Sequence, residues 1–136
     1  MTRSRTDLRQ PRYSISELAN EFDISPRTIR FYEEKNLISP ARSKGNQRVY
    51  TRRDRARLKL ILRGKRFGYS LDEISEMIGM TDVDISERAQ IQKSLIYGDK
   101  KLAEIRERRE ELKLLEQDIL NVKTKLLKRL EELDRT

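Results

Sequence analysis

The chain predicts a mainly α protein, a winged helix-turn-helix unit followed by one long dimerisation helix, and three observations carry that prediction. Capping-box patterns at Ser14, Thr51 and Ser70 each precede an apolar-periodic stretch, and the pair Ser25-Pro26 opens another. Between them, residues 41–50 form a basic turn cluster that ends in strand-like alternation. From Asp84 onward no proline interrupts a highly charged stretch whose apolar residues recur at spacings of four and three.

The 136 residues, about 35% apolar and 40% charged, have room for one small domain with an extension and only a modest core. The formal charge of +8 is unevenly placed. Residues 1–69 hold 18 lysines and arginines against 7 acids, whereas residues 70–136 hold 13 against 16. A polyanionic partner is therefore expected for the first half, with nucleic acid ahead of a membrane surface because no strongly apolar amphipathic stretch accompanies the charge. The absence of Cys and His removes disulfides, thiolate and iron–sulfur sites, most zinc sites and the commonest general base, so no enzyme and no cofactor are expected. No stretch has the apolar length of a membrane span or a signal-peptide core, which makes the cytoplasm the expected location.

Residues 1–12, with Arg3, Arg5, Arg9 and Arg12, read as a flexible basic arm, either adding phosphate contacts or carrying no function. The capping box Ser14-Ile15-Ser16-Glu17 predicts a first helix over Ile15 to Phe22, with Leu18, Ala19 and Phe22 on one side. A short turn at Asp23-Ile24 leads to the Ser25 cap and Pro26, and so to the second helix of a helix-turn-helix. On that helix Ile29 and Tyr32 fall on one side, while Arg27, Thr28, Arg30 and Phe31 project from the other. Two guanidiniums, a hydroxyl and an aromatic edge without an intervening acid suit phosphates and base edges, which makes this a candidate recognition helix.

Leu37 and Ile38 follow, and Pro40 stops any continuation. Arg42, Ser43, Lys44, Gly45 and Asn46, then the alternation Gln47-Arg48-Val49-Tyr50, form either a small wing or a plain surface loop. Arg42, Lys44 and Arg48 stand beside the recognition helix in sequence, which favours the wing. Thr51 and Asp54 start a third helix with Leu58, Ile61 and Leu62 on its apolar side; Arg52, Arg53, Arg55, Arg57, Lys59, Arg63 and Lys65 supply charge. Gly64 and Gly68 mark its loosening and end. Ser70 to Glu73 opens a fourth helix bearing Leu71, Ile74, Met77 and Ile78.

In the long stretch the seam runs Ile91, Leu95, Gly98, Leu102, Ile105, Arg109, Leu112, Glu116, Ile119, Lys123, Leu126, Leu130 and Leu133. Leu115 and Val122 stand beside two of its polar interruptions and suggest a shift of seam. So narrow an apolar side calls for the same helix of a second chain, while the interruptions leave open a bend or a second short helix near residues 116 to 123. The domain reading is thus an arm at 1–12, a DNA-binding unit at 13–80, and a coiled-coil dimerisation helix with a C-terminal tail at 84–136.

In this order, the parts resemble the MerR family of bacterial transcription regulators. Ile15 to Ala19 is similar to the family's opening helix. Thr28-Ile29-Arg30-Phe31-Tyr32-Glu33 is similar to its recognition-helix core, Gly45 to Tyr50 to its wing, Arg52 to Ile74 to its second helix pair, and Ile85 to about Leu120 to its dimerisation helix. The resemblance implies a homodimer made by an antiparallel coiled coil through Ile91, Leu95, Leu102, Ile105, Leu112 and Ile119. It implies Arg27, Thr28 and Arg30 at the major groove and Phe31 and Tyr32 near the backbone. Arg42, Lys44 and Arg48 belong to the wing, and Arg63 and Lys65 would hold phosphates near the operator centre. Phe31 replaces a tyrosine found in many relatives, which removes one possible phosphate hydrogen bond. The junction Arg63-Gly64-Lys65-Arg66-Phe67-Gly68 looks like the subgroup that regulates branched-chain amino-acid and fatty-acid catabolism.

The family mechanism implied is a palindromic operator inside an overlong promoter spacer, distorted by the dimer so that RNA polymerase can use it when an effector binds. Without cysteines, thiolate metal sensing and iron–sulfur sensing are excluded, and a small organic effector is expected instead. Tyr69, Met77, Met80 and Tyr97 are its candidate pocket residues, with core packing as the other reading. The competing functions are an architectural DNA-binding protein without an effector, a coiled-coil assembly module whose basic half binds protein, and an enzyme using Asp72 and Glu73, both already explained as helix-start acids.

Overall fold

The computed structural model describes residues 11–79 and 85–136. The elements are β1 (Arg12–Tyr13), α1 (Ile15–Phe22), α2 (Pro26–Glu34), β2 (Ala41–Arg42), β3 (Arg48–Thr51), α3 (Arg52–Arg66), α4 (Leu71–Ile78) and α5 (Glu87–Asp134). They fall into two compact units, the first ending at Lys93 and the second spanning Ser94–Thr136.

Side chains set the helix starts of the first unit. Ser14 with Glu17, Thr51 with Asp54 and Ser70 with Glu73 all form reciprocal capping boxes, and Ser25 accepts the Thr28 N–H at 3.1 Å with Pro26 in the first turn. The helix ends use left-handed residues. Asp23 (φ 54°) closes α1, and Asn36 (φ 59°) turns the chain out of α2 so that the Leu37 N–H returns to the Tyr32 carbonyl at 3.0 Å. These caps leave Leu18, Ile29, Leu37, Ile38, Leu58, Ile61 and Ile74 buried together with Tyr32, Tyr50 and Met77. Burying each such side chain stabilises the unit by about 1.5–3 kcal/mol before the entropy of ordering it is counted.

The wing is a hairpin, with Ala41 opposite Val49 and Arg42 opposite Arg48. Its turn is closed by the Ser43 N–H to the Gln47 carbonyl at 2.8 Å, with Asn46 at φ 61°. A third strand was not expected. Arg12, assigned by the sequence to a flexible arm, pairs in β1 opposite Thr51, and Tyr13 lies opposite Tyr50, giving the antiparallel order β1-β3-β2. Two residues are too few for a period to show in sequence, and the remainder of the arm, residues 1–10, lies outside the described residues.

Two further expectations are corrected. Gly64 does not loosen α3. The helix runs through it to Arg66, and a Cβ at Gly64 would come within 2.8 Å of Ile74 Cγ1, so this glycine permits close approach to α4. Gly68, at φ 88°, is the residue that turns the chain. Arg57 is not a surface charge either. It is 6% exposed and donates to the carbonyls of Leu37 (2.6 Å), Ile78 (3.2 Å) and Gly79 (2.5 Å). Burial, helped by neighbouring Arg53, pushes its pKa below the ordinary arginine value.

The long helix α5 begins after Ser86, whose hydroxyl accepts the Ala89 N–H at 3.1 Å, and it is unbroken to Asp134. There is no second short helix at residues 116 to 123: the polar seam residues there stay within the one helix because no proline or glycine interrupts the backbone ladder. Among the described residues no helix is long and apolar enough to cross a membrane.

Two substitutions follow. Gly64→Ala gains helix propensity of about 1 kcal/mol but overpacks against buried Ile74 by about 1–3 kcal/mol, so chemical denaturation should show a net loss of about 1 kcal/mol. Tyr50 is fully buried with a hydroxyl that has no hydrogen-bond partner among the described residues, and burial, with the Glu33 carboxylate adding, pushes its phenol up to about 12. Tyr50→Phe should therefore leave stability unchanged or raise it by up to about 1 kcal/mol, and a loss in a thermal melt would reveal a partner for that hydroxyl.

Candidate nucleic-acid interface

The recognition helix α2 is anchored by Ile29 and Tyr32 on its buried side, which turns Arg27, Arg30 and Phe31 outward. Arg27 and Arg30 make no side-chain hydrogen bond or ion pair among the described residues. Their guanidiniums keep all their donors for a ligand. Thr28 is half-buried, and its hydroxyl already shares a hydrogen bond of 2.9 Å with Ser25, leaving reduced capacity for an outside partner. Phe31 is 42% exposed with the Lys35 ammonium 5.5 Å from its ring centre. Tyr32, expected near the backbone of a bound duplex, is only 6% exposed, and burial raises its phenol pKa. It serves the core first.

The wing is tied to this helix by charge. Arg48 Nε donates to Glu33 Oε2 at 2.7 Å, with both side chains partly shielded from solvent. Glu33 directly follows the buried Tyr32, so the bond joins the last turn of α2 to β3. The Glu33 hydrogen bond also raises the pKa of Arg48, while compensating one of the wing's cations. Arg42 is exposed and spends one donor on the Asn46 carbonyl at 3.2 Å, which holds the wing turn, and Lys44 stands exposed at its tip.

Along α3 the cations separate into two groups. Arg55 is bound to Glu21 through both its Nε and Nη2, an ion pair that lowers the Glu21 pKa, and Arg57 is consumed by the three carbonyls. Arg63 and Lys65, in the last turn, are exposed and unpaired among the described residues, with Arg66 stacked 5.5 Å over the exposed Phe67. The sequence reading missed two participants, Glu33 and Lys35. Glu33 closes the recognised core and Lys35 stands two residues beyond it, but a carboxylate at the end of a basic helix carries no sequence signal of the arginine it will meet fifteen residues later.

The candidate effector residues do not share one environment. Tyr69 and Met77 are each 7% exposed and pack in the core of the first unit, Tyr97 is half-buried on α5, and Met80 lies outside the described residues. The dimerisation candidates Ile91, Leu95, Leu102, Ile105, Leu112 and Ile119 are between 47% and 62% exposed, an apolar stripe left open by the described residues. Among the described residues no group of His, Cys, Asp or Glu side chains could hold a metal ion.

Comparison with known proteins bears on the whole arrangement. Residues 13–80 match the model of the MerR HTH family regulatory proteins, and residues 55–122 match that of the MerR DNA-binding region. The chain is 30% identical over 113 residues to the mercuric resistance operon regulatory protein of Bacillus cereus, covering 82% of this chain and 83% of the relative. It is 31% identical over 108 residues to the HTH-type transcriptional regulator ZntR of Escherichia coli, covering 79% and 75%. Among solved structures, HiNmlR, a MerR family regulator lacking the sensor domain and bound to promoter DNA, superposes with a TM-score of 0.58 at 25% identity over 76% of each chain. These relatives are regulators rather than enzymes. With a capped helix-turn-helix, a wing braced against its second helix and family models matching from Tyr13 to Val122, this chain belongs to the MerR family of DNA-binding transcription regulators.

Proposed function

We propose that this regulator binds a palindromic operator inside a promoter as a homodimer and switches transcription by distorting the DNA in response to a small organic effector. The observation that carries the reading is the set of uncompensated cations on α2 and the wing, Arg27, Arg30 and Lys44, beside a wing braced by Glu33 and Arg48. In this reading Arg27, Thr28 and Arg30 meet base edges and phosphates, with Phe31 and the outer edge of Tyr32 beside the backbone. Arg42, Lys44 and Arg48 follow the flanking phosphates, and Arg63 and Lys65 hold phosphates near the operator centre. The functional divisions are residues 13–80 for DNA binding and 84–136 for dimerisation. RNA polymerase is the partner at the promoter, and the cytoplasm is where that promoter lies. The promoter-DNA complex of the related HiNmlR supports the choice of ligand.

Bending a site of this size costs about 1–6 kcal/mol, a range that differential binding of an effector to two dimer states is able to tip. With no cysteine in the chain, a thiolate site for a soft metal is not available to it. Tyr69, Met77, Met80 and Tyr97 stay as effector candidates, and placement in the catabolic subgroup rests on the Arg63 to Gly68 junction alone.

The uncovered stripe on α5 has a self-complementary spacing that supports an antiparallel dimer. Reading backward from Ile105, the positions Ile105, Leu102, Gly98 and Leu95 step by three, four and three; reading forward, Leu112, Leu115, Ile119 and Val122 step the same way. Two antiparallel copies therefore oppose Ile105 to Leu112, Leu102 to Leu115, Gly98 to Ile119 and Leu95 to Val122, with the glycine making room for the isoleucine. The seam shift at Leu115 and Val122 becomes a requirement of the pairing.

Selection of bound fragments from the source genome, followed by footprinting, should return one palindrome between promoter elements. Scattered protection without a shared motif would instead mark an architectural protein. Arg30→Ala should weaken operator binding by about 1–3 kcal/mol while sparing random DNA, whereas Lys65→Ala should lower affinity on both alike. Equal losses on both DNAs for the two variants would remove α2 as the reading element. In the cysteine-free chain, Leu95→Cys with Val122→Cys should cross-link two protomers under mild oxidation, and neither single variant should. A cross-linked Leu95→Cys single variant would mean parallel helices.

A further inference from the structure

Arg57 stands on a polar path between the start of α5 and the exit of α2, where a switch of the kind proposed has a route. Its planar guanidinium, buried in the first unit, donates from Nε to the carbonyl of Leu37, which follows the exit of α2, and from Nη1 and Nη2 to the carbonyls of Ile78 and Gly79, which close α4. No carboxylate lies within ion-pairing distance of Arg57 among the described residues. Its charge is met by backbone carbonyls at and just beyond the C-terminal ends of two helices, where the helix dipoles place partial negative charge. The Ile78 carbonyl is shared: Gln90 Nε2, in the first turns of α5, donates to the same oxygen at 3.4 Å. A continuous polar path thus runs from Gln90 through Ile78 and Arg57 to Leu37, whose own N–H holds the last turn of α2 through the Tyr32 carbonyl at 3.0 Å.

We propose that Arg57 is a positioning residue that couples the start of α5 to the recognition helix through this path. The inference rests on the reading of α2 as the DNA-reading helix. A guanidinium is suited to the task because its donors are fixed in one plane, so a displacement of Ile78 or Gly79 rotates the fork and is delivered to Leu37. A lysine ammonium, a single point with freely turning donors, would keep the charge and lose the rigid connection. The shared acceptor makes Gln90 the entry to the path, since a helix that shifts at Gln90 pulls on an oxygen that Arg57 also holds. Arg57 touches no DNA in this scheme and sets where α2 stands when DNA arrives.

Amide hydrogen exchange of the free chain tests the coupling without DNA, so failure to find a palindromic operator would sink the proposed operator switch and leave this result standing. Gln90→Leu, a change at the start of α5, should speed exchange of the Lys35, Asn36 and Leu37 amides by about threefold, and Arg57→Lys should speed them by about tenfold. In the Arg57→Lys background, Gln90→Leu should add nothing at those amides, because the path is already cut. The proposal is overturned if Gln90→Leu acts only at residues 74–79. It is overturned equally if the two substitutions multiply at Lys35 to Leu37, as independent sites do. Arg57→Lys keeps the buried charge on its stem; should it fail to fold, the response of Lys35 to Leu37 to Gln90→Leu alone decides between the two outcomes.

Discussion

Among the described residues, three of the four helices that lie wholly in the first unit have eight or nine residues, and a helix that short does not hold together alone in water. Everything else in the unit follows from that constraint. Each short helix borrows its stability from a capping side chain at its start, a left-handed residue or glycine near its end, and a few buried residues on one side. Because α2 keeps only Ile29 and Tyr32 fully buried, most of its surface is free to carry Arg27 and Arg30. The shortness that makes the helix dependent on its neighbours is also what leaves it available to a ligand.

The same economy explains how the neighbours pack. Gly64 lets the Ile74 side chain of α4 lie directly against the backbone of α3, and Arg57, early in α3, fills the corner where α2 and α4 end with hydrogen bonds in place of apolar volume. In a chain this rich in charge the long methylene stem of an arginine serves as core material while its head satisfies carbonyls that would otherwise be buried without donors.

Local chemistry was the legible part of the sequence. Capping boxes at Ser14, Thr51 and Ser70, the proline after Ser25 and the basic turn before Val49 each announce their structure within a few residues, and each element stands where those signals put it. What was not legible depends on residues far apart. The strand at Arg12–Tyr13 exists only because Tyr50 and Thr51 lie beside it. Arg57 looks like its exposed neighbours until the carbonyls of Leu37, Ile78 and Gly79 converge on it. The candidate site divides the same way: the outward arginines of α2 follow from helical spacing, whereas the withdrawal of Arg55 to Glu21, and the tie between Arg48 and Glu33, needed the fold.

That tie between wing and helix has a mechanical consequence. With Glu33 holding Arg48, the wing and α2 form a bracket whose two arms are braced against each other. In a complex of the kind proposed, a duplex whose groove and backbone do not already match the bracket must itself yield. The protein then acts as a mould, and sequences that deform easily are chosen at positions no side chain touches. Loosening the bracket would trade that selectivity for tolerance, giving a protein that grips DNA without shaping it.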